Sequence, residues 1–291
     1  MKISLGSAQF GLDYGIYNLR GKTTKTEVSK ILQFASEGGI SMIDTATSYG
    51  NSESILGETI TNDDWKIVTK TPGFAGDYIN EIHVNQLRES FDQSLSSLRK
   101  ENIYGLLLHS CNDLLKPGGE LIFREMERLR EIGVVNKIGV SVYNSNQIKL
   151  VLDKFNIDLI QLPINIFDQH IFINGWLEEL KNNNIEIHVR SVFLQGLLLM
   201  SRNSMHPYFS PIKKRIEILS NSAKDLSLSR MELALGYVMS INEIDQVVVG
   251  VSTLQQLREI IDAASVRVNT SDFLDLSIDD VAFINPSNWK T

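Results

Sequence analysis

Short apolar runs alternate along the chain with longer stretches in which apolar residues recur every three or four positions. The runs Ile3 to Ala8, Ile40 to Ile43, Lys66 to Lys70, Ile103 to Leu108, Lys137 to Val142, Leu159 to Leu162, Glu186 to Val189 and Gln246 to Val249 read as buried strands. Between them lie helical periodicities, the clearest being Val84, Leu87, Phe91, Leu95 and Leu98, which fill one face. Others run from Thr26 to Gly38, Glu120 to Ile132, Ser145 to Phe155, Ile173 to Asn182, Ile212 to Leu226, Met231 to Met239 and Leu254 to Ala264. Thr24-Lys25-Thr26-Glu27 has the form of a capping box, and Gly38-Gly39 and Gly133 mark helix stops.

Near-continuous apolar strands alternating with helices indicate a parallel sheet covered by helices. Eight strands favour a single (β/α)8 TIM barrel, α/β in class, over residues 1–291. A doubly wound dinucleotide fold is disfavoured, because Gly6-Ser7-Ala8-Gln9-Phe10-Gly11 lacks the middle glycine of G-x-G-x-x-G.

The polar residues at the strand ends carry the chemistry. Asp44 closes the second run, Tyr49 follows in the next loop, Lys70 closes the third run and His109 follows the fourth. In a parallel barrel all four meet at one rim, where ligands bind. A buried lysine paired with a carboxylate stays charged and should lower the pKa of a neighbouring tyrosine, which makes Tyr49 a candidate general acid.

Composition narrows the field. The 291 residues are 43% hydrophobic with a net charge of -7, and the pI is near 5.3. This disfavours a nucleic-acid or anionic-membrane partner, and Lys213-Lys214-Arg215 reads as a solvated helix end. No apolar stretch reaches the length of a membrane span, and the first residues enter a strand directly, so a cytoplasmic protein is expected. The lone Cys111 excludes an internal disulfide, and a Cys111–His109 nucleophilic pair has no third orienting group. His83, His170, His188 and His206 show no metal-ligand spacing. Asp13, Tyr14, Tyr17, Trp176 and Trp289 are pocket candidates, although loop aromatics more often cover apolar surface.

The stretch Ile43-Asp44-Thr45-Ala46-Thr47-Ser48-Tyr49-Gly50-Asn51-Ser52-Glu53 resembles the D-T-A-x-x-Y-G-x-(S/N)-E motif of the aldo-keto reductase superfamily, and the similarity extends over essentially the whole chain. The resemblance implies an NAD(P)-dependent oxidoreductase interconverting a carbonyl and an alcohol. Tyr49 resembles the proton donor, Lys70 its pKa-lowering neighbour, Asp44 the partner of Lys70 and His109 the group that orients the carbonyl. NADP(H) is the first cofactor expected from the family and NAD(H) the alternative. The cofactor positions implied are Gly6, Ser7, Asp44, Ser141, Gln161, Arg190, Ser191, Phe193, Gln195, Gly196, Gly250, Ser252 and Gln256.

Three departures stand out. Val142 replaces an Asn that often follows the serine of Gly139-Val140-Ser141, so that one of the contacts to the nicotinamide carboxamide implied for Ser141 and Gln161 is either missing or supplied by Asn165. Arg190, opening Arg190-Ser191-Val192-Phe193-Leu194-Gln195-Gly196, replaces an aromatic that stacks on the nicotinamide, a task a planar guanidinium can take over. Gly250 and Gln256 stand where relatives preferring a 2'-phosphate carry Lys and Arg, and Arg258 is misplaced by two residues to compensate. The substrate expected is a small-molecule carbonyl or alcohol. The loops Ser110 to Gly119, Phe167 to Asn174 and Leu194 to Pro211 would tolerate a polyhydroxylated one. The opening Leu5 to Gly15 looks like a subgroup linked to bacterial surface-sugar pathways. The alternative is a cofactor-binding regulatory protein, as the potassium-channel beta subunits of this superfamily suggest.

Overall fold

The apolar runs form eight parallel strands: β1 Ile3–Gly6, β2 Met42–Asp44, β3 Lys66–Lys70, β4 Ile103–Leu108, β5 Val135–Ser141, β6 Leu159–Pro163, β7 Glu186–Arg190 and β8 Gln246–Gly250. They close in sequence order, β8 pairing back onto β1. The structure, a computed structural model, describes residues 1–291 except 17, 19, 63, 202, 203, 290 and 291. The candidate Tyr17 lies outside the described residues.

Side chains alternate across each strand. One set, including Met42, Val68, Leu107 and Leu159, packs inside the barrel. The other, including Ile43, Ile67, Leu106 and Ile160, joins the larger core beneath the helices. The same alternation turns Asp44, Lys70, Ser141, Gln161 and Arg190 inward at the carboxyl ends. Registers Gly6↔Asp44, Asp44↔Val68, Lys70↔Leu107, Ser141↔Gln161 and Gly6↔Gly250 bring these ends to one rim.

The helices lie close to their predicted spans: Lys25–Glu37, Glu81–Leu98, Gly119–Glu131, Ser145–Leu152, Trp176–Asn182, Lys213–Asp225, Arg230–Met239 and Leu254–Ala263. In Glu81–Leu98 the residues Val84, Leu87, Phe91 and Leu98 are buried as their spacing requires. The capping box at Thr24 forms only in half. Thr24 accepts from the Glu27 amide, but the Glu27 carboxylate accepts from Leu254 N at 2.8 Å, at the start of the neighbouring helix.

Several short helices lacked a periodic signal, and one of them borders the site. Ser52–Thr59 spans only eight residues, and its buried set includes Ser52, Glu53, Gly57 and Thr59. Polar contacts replace part of the apolar stripe: Thr69 and Ser94 donate to Glu53 at 2.6 and 3.1 Å, tying the helix to β3 and to Glu81–Leu98. This helix directly follows the Tyr49 loop, so Glu53 fixes where that loop ends.

Candidate active site

The Tyr49 loop is held by a close backbone approach. A Cβ on Gly11 would stand 1.8 Å from the Tyr49 carbonyl, and Gly50, at φ +58°, faces Gly11 O. Only glycine permits both the contact and that left-handed turn. Ser52 strengthens the junction by donating to Ser7 O at 3.0 Å.

Lys70 is fully buried at the end of β3. Its Nζ donates to both Asp44 carboxylate oxygens at 2.7 and 2.6 Å and to Thr45 O at 2.8 Å, so all three protons are used. Gln161 Nε2 adds a fourth bond to this pair, reaching Asp44 Oδ1 at 2.6 Å. The ammonium lies 5.1 Å from the centre of the Tyr49 ring. Burial pulls Lys70 below its ordinary pKa, and the Asp44 charge pulls it back up.

His109 stands edge-on to Tyr49 with ring centres 6.1 Å apart, and its Nδ1 lies 3.3 Å from Ser48 Oγ. Burial, with the positive charges of Lys70 and Arg190, pushes its pKa down to about 4. His109 is therefore neutral at pH 7 and can donate one hydrogen bond without carrying charge.

Tyr49 departs from expectation. Burial raises its pKa above the ordinary phenol value, the Asp44 carboxylate adds to the rise, and Arg190 opposes both. The Lys70 cation was expected to lower it, but that cation is matched at bonding distance by Asp44, so desolvation prevails. The phenol keeps its proton at neutral pH.

These four side chains line a cavity of about 750 Å³, within the range of small-molecule sites. Gly6, Ser141, Gln161, Arg190, Ser191, Phe193, Gln195, Gly196, Gly250, Ser252 and Gln256 also line it. Ser7 does not. It is buried below the wall, its Oγ accepting from Ser52 at 2.8 Å, which corrects its expected place among the cofactor contacts. Asn165 is likewise turned away from the expected carboxamide contact. Its Oδ1 accepts from the Phe167 and Asp168 amides, and its Nδ2 donates to Ser191 O. Asp13, Trp176 and Trp289 stand outside the cavity wall, Trp289 packing edge-on against Phe209. Cys111 is buried and its thiol is pushed up to about 12, the opposite of an activated nucleophile.

Several contributors escaped the sequence reading. Gln9, within the first glycine-flanked turn, lines the cavity, and its buried Oε1 has no hydrogen-bond partner among the described residues. Its amide fills the space beside Gly250, where a Cβ would come within 2.5 Å. Tyr143 supplies a ring on which the Arg190 guanidinium lies at 4.2 Å. Ser48 orients His109, and Arg230 lines the wall while donating to Leu199 O and Met200 O at 2.7 Å. Gln9 had a local cue, its place directly after β1.

The loop after β7 is preshaped. Ser191, Leu194 and Gln195 all hold positive φ, at 62°, 45° and 53°. Each costs roughly 1 kcal/mol or more and persists only where surroundings fix it. The Asn165 bond to Ser191 O is one such constraint.

The Aldo/keto reductase family model matches residues 2–278. The chain belongs to this family. Among aldo-keto reductase relatives, an uncharacterized oxidoreductase YqkF of Bacillus subtilis is 27% identical, the match covering 93% of each chain. L-galactose dehydrogenase of Arabidopsis thaliana is 24% identical over 78% of this chain and 74% of its own. Among solved structures, the holo form of the aldo-keto reductase AKR11C1 from Bacillus halodurans superimposes with a TM-score of 0.76 at 20% identity, covering 99% of this chain and 95% of that one. The glycerol dehydrogenase AKR11B4 of Gluconobacter oxydans does so with 0.74 at 20% identity, covering 98% and 92%. Aldo-keto reductases use nicotinamide cofactors, and this one is an oxidoreductase of that general kind. Among the described residues no helix is long and apolar enough to cross a membrane.

The residues present fit a nicotinamide dinucleotide. The cavity runs from the Tyr49 end past the β7 loop to the start of the helix Leu254–Ala263. It has a preshaped backbone loop on one side and the unpartnered Gln9 oxygen on the other.

Proposed function

We propose that the protein interconverts an aldehyde or ketone and the corresponding alcohol, with Tyr49 as the general acid in reduction. The observation that carries this reading is the Lys70–Asp44 pair, closed on itself and on Thr45 O, lying beneath a protonated tyrosine that faces an open cavity. A reduced nicotinamide held in this cavity would supply the hydride. Tyr49 gives its proton to the oxygen that becomes an alkoxide, a task for which a raised pKa keeps the proton in place until it is needed. His109, neutral and held at Nδ1 by Ser48, offers its other ring nitrogen to the same oxygen. Lys70, held by Asp44 and Gln161, is matched in charge beneath the phenol, and Arg190 is the cation whose field favours the phenolate left behind.

The cofactor reading includes NADP(H), from the family, and NAD(H). The far wall supports the second: Gln256 spends its Oε1 on the Ser252 amide at 2.7 Å, Glu259 lines the cavity, and Glu27 takes the Leu254 amide. Arg258 lies over the Phe34 ring at 5.2 Å and is not part of the cavity wall. A 2'-phosphate would thus meet carboxylates at this helix start where charge-assisted bonds are wanted. For the substrate, a polyhydroxylated carbonyl or alcohol is supported by the names of the L-galactose and glycerol dehydrogenases, and by Tyr14, Asn18 and Gln195 in the wall.

The test is a titration of NADH and NADPH into the purified protein, followed by aldehydes, keto-sugars and polyols. Binding with turnover supports the reading. Tight binding with no turnover on any class would point to the regulatory alternative.

A further inference from the structure

Lys70 and Arg190 both enter the cavity at its chemical end, yet their charges are handled differently. Lys70 is matched by Asp44 at 2.6 Å. Arg190, the last residue of β7, has only neutral partners: the Tyr143 ring at 4.2 Å, Val142 O at 3.1 Å and Ser191 Oγ at 3.3 Å. Among the described residues no carboxylate forms an ion pair with it. Asp168, the other carboxylate within its field, is engaged with His170 Nδ1 at 3.0 Å. With His109 and Tyr49 neutral at pH 7, the reaction end of the cavity carries one uncompensated positive charge, held in place by ring stacking and two hydrogen bonds. The field of this charge is felt across the site: it opposes the rise in the Tyr49 pKa and adds to the lowering at His109 and Lys70.

A hydride donor must lie beside the carbonyl that Tyr49 protonates, hence at this same end. Oxidised nicotinamide is a cation and reduced nicotinamide is neutral. We infer that Arg190 makes the site discriminate between the redox states of its dinucleotide, binding the reduced form in preference to the oxidised one. This rests on the nicotinamide reading given above and goes beyond it, since a neutral aromatic at this position would exert no such repulsion. Two like charges sharing one end of a partly wet cavity repel enough to change a dissociation constant by about tenfold or more.

The test is calorimetric titration of NADH, NAD+, NADPH and NADP+ into the full chain and into Arg190→Gln, Arg190→Met and Arg190→Lys at one ionic strength. The quantity read is the oxidised-to-reduced ratio of dissociation constants, which cancels binding contributions common to both forms. The ratio should fall about tenfold from the unmodified protein to Arg190→Gln or Arg190→Met, and Arg190→Lys should retain most of it. Two neutral variants are included so that one folded protein, checked by its melting curve, is enough. An unchanged ratio in a folded neutral variant overturns the inference, as does an Arg190→Lys variant that behaves like the neutral ones, while in either case the dinucleotide reading stands. No binding of any dinucleotide to the unmodified protein removes that reading and the inference with it.

Discussion

The two ends of this barrel carry the same four kinds of side chain to opposite effect. At the carboxyl end stand Asp44, Tyr49, Lys70 and His109. At the amino end stand Glu186, Tyr104, Lys137 and His188, at or near the starts of β7, β4 and β5. In the lower cluster the carboxylate is the hub: Tyr104 OH donates to Glu186 Oε2 at 2.5 Å, Lys137 Nζ pairs with the same oxygen, and His188 Nε2 lies 2.7 Å from Oε1. The lysines 66 and 137 both lie over the Tyr104 ring. Burial alone would raise Glu186, but His188, Lys137 and Tyr104 together bring it down to about 2. The Tyr104 phenol is pushed up to about 12 by burial and by the hydrogen bond it gives away. In the upper cluster the lysine is the hub and saturates itself on Asp44 and Thr45, while Tyr49 lines a cavity. Perturbed ionisation therefore does not distinguish a site from a plug. What distinguishes them is whether the tyrosine's proton is already committed to a carboxylate or faces open space.

The strongest way to break this comparison is to remove each phenol in turn. Tyr49→Phe should lower turnover on the order of 10³-fold while leaving cofactor affinity nearly unchanged, and Tyr104→Phe should leave turnover within about twofold, both read by steady-state kinetics. Next in size, Glu186→Ala leaves Lys137 and His188 without their hub. It should cost about 2–3 kcal/mol in urea unfolding, discounted because Lys137 is about a third exposed, with no change in dinucleotide binding.

The strands and the upper tetrad were legible because each polar residue ends an apolar run of its own, and a parallel barrel collects run ends at one rim. The lower cluster was not legible. Tyr104, Lys137, Glu186 and His188 sit inside or before such runs, and the register that unites them is a property of the closed sheet. Ser7 was misplaced because sequence fixes its loop but not which way its hydroxyl turns, and Ser52 decides that. Similarly, the sign of the Tyr49 shift depended on how completely Asp44 cancels Lys70, a matter of ångströms that spacing cannot convey.

Acid sharpens the contrast further. Glu186 has its pKa lowered in the fold to about 2 from an ordinary 4.5, so it contributes stability above about pH 4.5 that is lost as pH falls toward 2. His109 is lowered from 6.5 to about 4; the unfolded chain takes up its proton first, so stability falls as pH drops from about 6.5 to 4. Urea midpoints measured across pH should lose the lower window in Glu186→Gln and the upper one in His109→Asn. The smallest effect expected is that of Ser48→Ala, which frees His109 Nδ1 and should lower kcat/KM only about threefold, with stability unaffected, because one exposed hydrogen bond contributes roughly 0.5–1 kcal/mol.

The most direct test is to follow loss of the reduced-nicotinamide absorbance with an active aldehyde or keto-sugar for the unmodified protein, Tyr49→Phe and Tyr104→Phe side by side. Turnover by the first and third with near-complete loss in the second is the result this account predicts; a Tyr49→Phe enzyme as active as the unmodified protein would contradict it.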